Sequence, residues 1–366
     1  MGAHQFAKQF AGNGYEVAFI SEPISSFHYF FALDKEGFWD RHRYWLQGGR
    51  WEDGGKVWAY TPFALVPITK KPLFRSRWIV DNNYKLAFPP LKWKLKKAGF
   101  HKVDVLFLDE PFEYFLDNVD YGKSVFRLSE NIVPLFEKDK AHLLEKAKRV
   151  VRRADLVVIT ARQLQDLAQK MGARRIEYIP GGADFELFND GFPRIPQEYG
   201  EIPAPRVVFV GNINYWLDVE LLAYAARRLP DVSFILIGKP WTDITKLDGL
   251  PNIHFLGGRC HGDLPPYLKH ADIGMIPFNT KILRTRYVHP IKLYEYMSCG
   301  LPVVSTSWPE LKAMNSPVYA AETKEEFVRL LLKAQGEKGQ PRFIEYAQAN
   351  TWPQRYEKLI QALASV

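Results

Sequence analysis

The sequence predicts an α/β protein built from two doubly wound domains with parallel sheets. Three observations carry this expectation. Short runs of apolar, β-forming residues alternate with helical segments through most of the chain, and such runs mark strands buried on both faces. The length of 366 residues exceeds what one core ordinarily serves. Finally, residues 189–205, rich in Pro and Gly, separate two alternating sets.

The elements follow in order. Residues 4–11 read as a helix ended by Gly12-Asn13-Gly14, and 16–20 as the first strand. A doubly wound domain places a strand before that helix, yet only Met1-Gly2-Ala3 stands there. Either this domain lacks its first strand or the given start lies inside the natural reading frame, and the second is the expectation. After a basic, proline-bearing section, strands are expected at 103–108, 124–128, 155–160 and 176–179, with a charged helix at 137–153. The second set places strands at 207–210, 234–237, 253–256, 273–276 and 303–305, and a terminal helix at 351–360. The expected domains are 1–190 and 206–348, followed by a final helix within 349–366.

Composition narrows the function. Apolar residues make up 47% of the chain, which suits a globular fold. No apolar run reaches the roughly eighteen residues of a membrane-spanning helix, and the first residues lack the pattern of a signal peptide. Two cysteines, Cys260 and Cys299, make no disulfide framework, which suggests a reducing cytosol. The net charge of +8 is uneven. Between Lys56 and His101 stand ten basic residues, among them Lys92, Lys94, Lys96 and Lys97, against one acid, Asp81. Trp58, Tyr60, Trp78, Tyr84 and Trp93 interleave with them. Such a stretch suits an anionic membrane surface, and no nucleic-acid motif accompanies it. The expected location is cytoplasmic, peripheral on the inner face of the membrane.

The most informative segment is residues 289–306, HPIKLYEYMSCGLPVVST. It reads as a short helix, a Gly-Leu-Pro turn and a buried strand. A helix N-terminus attracts phosphate, because its first amides lack partners and its dipole is positive there. Lys292 adds a point charge for a diphosphate. Glu295 lies three residues on, on nearly the same face, where a carboxylate can accept the hydroxyl protons of a ribose. Leu293 and Tyr294, between them, belong to the same candidate binding segment.

This segment resembles the donor-nucleotide motif of GT-B glycosyltransferases, the broad group that includes the family 4 enzymes. Glu295 matches the second of that motif's two glutamates, whereas Tyr287 stands where the first belongs. The Pro-x-Lys-Leu-Tyr-Glu-Tyr form is similar to bacterial enzymes of exopolysaccharide and teichuronic-acid synthesis, including the xanthan-type glucuronosyltransferases. Residues 4–17 and 180–188 resemble further runs of the same group. The resemblance implies a GT-B fold: two Rossmann-like domains facing across a cleft, with the C-terminal helix crossing back to the first domain. It implies sugar transfer from a nucleotide diphosphate sugar, of UDP or GDP type, to a hydroxyl of a lipid-linked or polysaccharide acceptor. No metal and no separate cofactor are expected. An inactive nucleotide-sugar binding homologue and a nucleotide-sugar 2-epimerase are the alternatives.

The resemblance also points to further residues. Gly211 and Asn212 follow the first strand of the second domain, where family members carry a glycine and cations near the diphosphate. Lys239 follows the second strand there, and Arg286 and His289 lie in the loop feeding the Lys292 helix. Residues 126–130 resemble the "YRVSD" run of the xanthan-type enzymes, whose final acid acts as base, which makes Glu130 the catalytic candidate. Asp109 and its neighbour Glu110, at another strand end, are the second candidates.

Overall fold

The protein is described here from a computed structural model, which covers residues 2–28, 35–66, 77–129, 141–191 and 194–366. The second unit has the simpler architecture. Six strands form a parallel sheet in the order β10-β9-β8-β11-β12-β13. They are β8 (Arg206–Val210), β9 (Ser233–Ile237), β10 (Ile253–Gly257), β11 (Ile273–Ile276), β12 (Val303–Thr306) and β13 (Tyr319–Ala321). Helices cover both faces, so β9 and β11 are buried along their whole length, as their continuous apolar sequences require. The order reverses between β8 and β11. At such a switch point the loops beyond the carboxyl ends diverge and leave a crevice.

Close packing at this point depends on particular glycines. A Cβ at Gly274 would lie 2.4 Å from the Tyr296 ring, and a Cβ at Gly238 would lie 1.9 Å from the Gly211 carbonyl oxygen. Tyr296 uses the room left by Gly274, and its hydroxyl accepts from the Val210 amide at 2.7 Å. The helix Ile291–Ser298 is thereby fixed against the carboxyl end of β8.

The first unit carries two separate sheets. One is β4 (Lys102–Leu108), β5 (Asp120–Leu128), β6 (Leu156–Ile159) and β7 (Ile176–Tyr178), all parallel. The other is β1 (Val17–Ile20), β3 (Val57–Tyr60) and β2 (Arg50–Glu52), with β1 and β3 parallel and β2 antiparallel. No pairing joins β1 to β4 among the described residues. β2, β3 and β13 were not anticipated from the sequence. Within the basic section, Trp58, Tyr60 and Tyr84 are core residues, whereas Trp78, Phe88 and Trp93 are exposed.

The terminal helix Trp352–Ala364 lies on the first unit, as the GT-B expectation requires. Thr351 and Gln354 form a capping box at its start, where the Thr351 amide donates to Gln354 Oε1 at 2.8 Å. Trp352, Tyr356 and Leu359 bury themselves against Phe6, Phe10, Val125 and Leu156. Lys123 and Arg175 donate to the carbonyls of Leu363 and Ser365, satisfying acceptors that a helix end leaves open. The loop at 181–183 is clamped between the units. A Cβ on Gly182 would meet Thr351 at 2.7 Å, and one on Gly181 would meet Ile291 at 2.5 Å.

A second tie between the units is polar. Glu310, on the second unit, is fully buried. Its carboxylate accepts from the Arg162 amide at 2.8 Å and from the Tyr178 hydroxyl at 2.9 Å, both on the first unit. His289 Nδ1 lies 2.9 Å from the same carboxylate.

Candidate active site

The helix Ile291–Ser298 begins directly after Pro290, and its first turn points toward the crevice between β8 and β11. Lys292 reaches from that turn across β8. Its ammonium stands 4.2 Å from the Phe209 ring centroid and 4.9 Å from that of Phe278. The nitrogen is so close to Gly211 that a Cβ there would approach it to 2.8 Å. Gly211 itself has φ +141°, a conformation that favours glycine. Burial pushes the Lys292 ammonium down to about 8, against which Glu295 pulls upward. No carboxylate among the described residues lies within ion-pairing distance of it. A cation held between two aromatic faces and beside a glycine is chemically suited to an anion.

Glu295 sits one turn further along, 6% exposed, with Oε1 2.8 Å from His261 Nε2. His261 follows β10 and packs edge-on against Phe188. Its pKa is raised, chiefly by the hydrogen bond to Glu295, while burial opposes the shift. Asp184 and Lys8 of the first unit also act on it electrostatically, so this pair borders the cleft between the units. Among the described residues no protein donor meets the second carboxylate oxygen of Glu295, an arrangement that suits hydroxyl groups of a ribose.

The other sequence-derived candidates separate into two groups. Asn212, Lys239 and Arg286 are exposed on loops at the same end of the sheet, with Lys239 beside Gly258. Leu293, Tyr294 and His289, by contrast, are interior. Leu293 belongs to the core of the second unit, and Tyr294 stacks on Tyr346 and hydrogen-bonds His289 Nε2 at 2.8 Å. Both ring nitrogens of His289 are thus engaged with protein groups, Glu310 on one side and Tyr294 on the other. These three are packed inside and position the helix that carries Lys292 and Glu295.

In the first unit, Asp109 follows β4 and pairs with Arg127 at 2.7 Å. Glu110, beside it, is pushed up to about 7 by burial and by the nearby Glu22 and Asp109, with Arg127 opposing. Glu110 is exposed and borders the cavity between β1 and β4. Glu130 lies outside the described residues.

Four contributors escaped the sequence reading. His261 stands beside Cys260, and that pair carried no metal-ligand spacing; its position after β10 was the available signal. Phe209 reads as a strand residue, and Phe278 as part of the loop after the fourth strand, with no role assigned to either ring. Glu310 reads as an ordinary acid in a helix first turn. The His261–Glu295 pair makes a pH prediction. A histidine whose pKa is raised on folding contributes stability that is fully present below about 6.5 and lost as pH rises through the raised value. The native protein should therefore exceed His261→Ala in urea midpoint at pH 6, and the gap should narrow by pH 9. A gap independent of pH would show that the pair contributes no charge interaction.

Residues 204–334 match the family described as glycosyl transferases group 1. Over 310 residues the chain is 27% identical to the putative teichuronic acid biosynthesis glycosyltransferase TuaH of Bacillus subtilis (strain 168), covering 77% of each chain. Over 176 residues it is 27% identical to D-inositol 3-phosphate glycosyltransferase of Mycobacterium tuberculosis, covering 44% of this chain and 35% of that one. Among solved structures, sucrose-phosphate synthase from Thermosynechococcus elongatus superposes with TM-score 0.71 at 15% identity, over 99% of this chain and 92% of that one. HepE from Anabaena, in complex with UDP, superposes with TM-score 0.61 at 16% identity, over 85% and 87% of the chains. The fold is that of these GT-B enzymes, and Lys292 and Glu295 lie in the segment that matches the family. Residues 204–334 are a glycosyl transferase group 1 domain, and the chain that carries them is a glycosyltransferase of the GT-B fold.

Proposed function

We propose that the enzyme moves a sugar from a nucleoside diphosphate sugar to a hydroxyl of a lipid-linked or glycan acceptor at an anionic membrane surface, without a metal between the donor phosphates. One observation carries the donor half: the Lys292 ammonium, desolvated between Phe209 and Phe278 beside Gly211. In the reaction, the bond between the anomeric carbon and the diphosphate oxygen breaks, and the acceptor oxygen bonds that carbon. Negative charge gathers on the departing diphosphate. Lys292 and the first amides of its helix are fixed where that charge develops, a preorganised electrostatic device that stands in for a cation. Glu295, oriented by His261, holds the ribose hydroxyls and so sets the diphosphate over the helix.

The acceptor half belongs to the first unit. Of the acids at the carboxyl end of its sheet, Glu110 has the proton affinity of a base working near neutrality, whereas Asp109 is held by Arg127. The relative named for teichuronic acid biosynthesis supports a cell-envelope glycan as acceptor. Membrane contact is supported by the helix Leu91–Lys97, which buries Leu91 and Leu95 and exposes Lys92, Trp93, Lys96 and Lys97. Lys97 lies over the Trp93 ring at 5.3 Å, and Phe88 is exposed just ahead of the helix. Lys94 instead turns to the Gly48 carbonyl. This pattern of basic heads around an exposed indole suits the headgroup layer.

Three measurements test these assignments. Lys292→Ala should weaken nucleoside diphosphate binding at least tenfold while leaving nucleoside binding nearly intact, since charge-assisted contacts contribute roughly 1.5–3 kcal/mol. Glu295→Gln should weaken both, and unchanged affinities in folded variants would overturn the donor assignment. Glu110→Gln should retain donor affinity and lose about a hundredfold in turnover; the same loss in Glu130→Gln, with Glu110→Gln active, would move the base to Glu130. Vesicles containing anionic lipid should retain the protein at low salt and release it at high salt. Reversing Lys92, Lys96 and Lys97 to Glu should reduce that retention by roughly a hundredfold, at about 1 kcal/mol per charge, without altering nucleotide affinity. Indifference to anionic vesicles would favour a soluble acceptor.

A further inference from the structure

The helix that carries Lys292 and Glu295 has only eight residues. Isolated helices shorter than about 12–15 residues are marginal in water, so contacts from outside must hold this one in place. Several of those contacts come from the first unit. In the segment ahead of the helix, Leu283 and Tyr287 pack against the first unit's core. Gly181 of the first unit lies so close to Ile291, the first helical residue, that a Cβ there would stand 2.5 Å from its side chain.

The remaining contact is polar and continuous. His289 and Glu310 pair at 2.9 Å, with their side chains 3% and 0% exposed. The same carboxylate accepts from the Arg162 amide and the Tyr178 hydroxyl of the first unit. Tyr178 ends β7 and is itself fixed. The Arg162 guanidinium stands 4.8 Å from its ring centroid, and Lys358 of the terminal helix donates to its carbonyl at 2.8 Å. On the far side of the link, His289 Nε2 meets the Tyr294 hydroxyl at 2.8 Å, and the Tyr294 ring stacks on Tyr346.

Helix geometry gives this link its consequence. Successive residues turn by about 100°, so Tyr294 lies about 200° around the helix from Lys292 and about 100° from Glu295. A hydroxyl pinned at Tyr294 therefore sets the rotation at which the other two side chains emerge. An apolar contact of the same size would join the units without burying a charge. Hydrogen bonds add fixed distances and angles, which apolar packing supplies less sharply.

We propose that Glu310 is a positioning residue for donor binding. With His289 it joins the Tyr178 hydroxyl of the first unit to the Tyr294 hydroxyl of the helix Ile291–Ser298. Docking of the first unit thereby sets the orientation of Lys292 and Glu295, and with it the affinity for a nucleoside diphosphate. The inference rests on the reading of Lys292 and Glu295 as the donor contacts. Through this link the unit assigned to the acceptor takes part in holding the donor.

Deleting one oxygen at each end of the link tests the proposal in the full chain. Tyr178→Phe acts on the first unit and Tyr294→Phe on the helix, and both keep their rings. UDP and GDP affinities are measured by calorimetry for the native protein, each variant and the double variant. Each single variant should weaken the diphosphate that the native protein binds by at least about fivefold. The double variant should lose little more than the weaker-binding single variant, because either deletion already breaks the link. Glu310→Gln, which keeps the size of the side chain, should match the double variant. Unchanged affinities would overturn the proposal whatever the thermal midpoint, since the contacts would then only stabilise the docked units. Losses that multiply would also overturn it, since the two hydroxyls would then act separately.

A second readout needs no ligand. In Tyr178→Phe, hydrogen exchange of the amides of residues 295–298 should quicken at least about tenfold more than that of the β9 amides. An equal change in both segments would report overall stability alone and overturn the coupling. Should the native protein bind neither UDP nor GDP, the donor reading falls, and exchange alone decides whether the first unit positions the helix.

Discussion

The buried carboxylate of Glu310 is the interaction on which the arrangement of the two units depends. It is fully enclosed and is shared by the Arg162 amide and Tyr178 hydroxyl of one unit and His289 of the other. A charge in that position is tolerable only with every partner in place, and removing one leaves an uncompensated ion inside the protein. The consequence reaches the binding helix. His289 uses its second nitrogen to hold the Tyr294 hydroxyl, and Tyr294 lies on the helix that carries Lys292 and Glu295. The relative placement of the units and the orientation of the donor grips are thus set by one continuous polar chain.

The donor crevice is prepared for charge at some cost to the free protein. Lys292 gives up much of its hydration to stand between two aromatic rings, and no carboxylate among the described residues pairs with it there. Attraction to the ring faces offsets part of that penalty, and a diphosphate offsets more. Gly211 and Gly238 make the approach possible, since a side chain on either would fill the space that the loop and the ammonium share. Glu295 is treated differently. Its charge is balanced from the protein side by His261, whose raised pKa reports the same contact. The two side chains therefore differ in kind: Lys292 stands against ring faces, and Glu295 is oriented by His261.

The acid cluster of the first unit shows how neighbours divide roles. Asp109 and Glu110 are adjacent in sequence, but Arg127 reaches only Asp109 at ion-pair distance. Glu110 is left with burial and two acidic neighbours, which push its proton affinity upward. Equivalent side chains become an ion-paired anchor and a candidate base through placement alone.

The sequence by itself determined the α/β class, the parallel strands of both units and the helix bearing Lys292 and Glu295. These are local quantities: apolar runs bounded by turn residues, and two functional side chains three positions apart on one helix. It also determined the terminal helix, because Thr351 and Gln354 cap it through neighbouring atoms. Only the tertiary structure decided which residues of the binding segment face inward. Leu293 and Tyr294 share the motif with Lys292, but helix rotation buries them. The same holds for His261, which meets Glu295 from 34 residues away, and for Glu310, which meets Arg162 from 148 residues away. β2 and β3 were hidden in a stretch whose charge dominated its reading, and they form because β1 supplies an edge for β3. Periodicity and capping act between neighbours in sequence, whereas ion pairs, aromatic walls and strand edges are made by residues brought together only when the chain has folded.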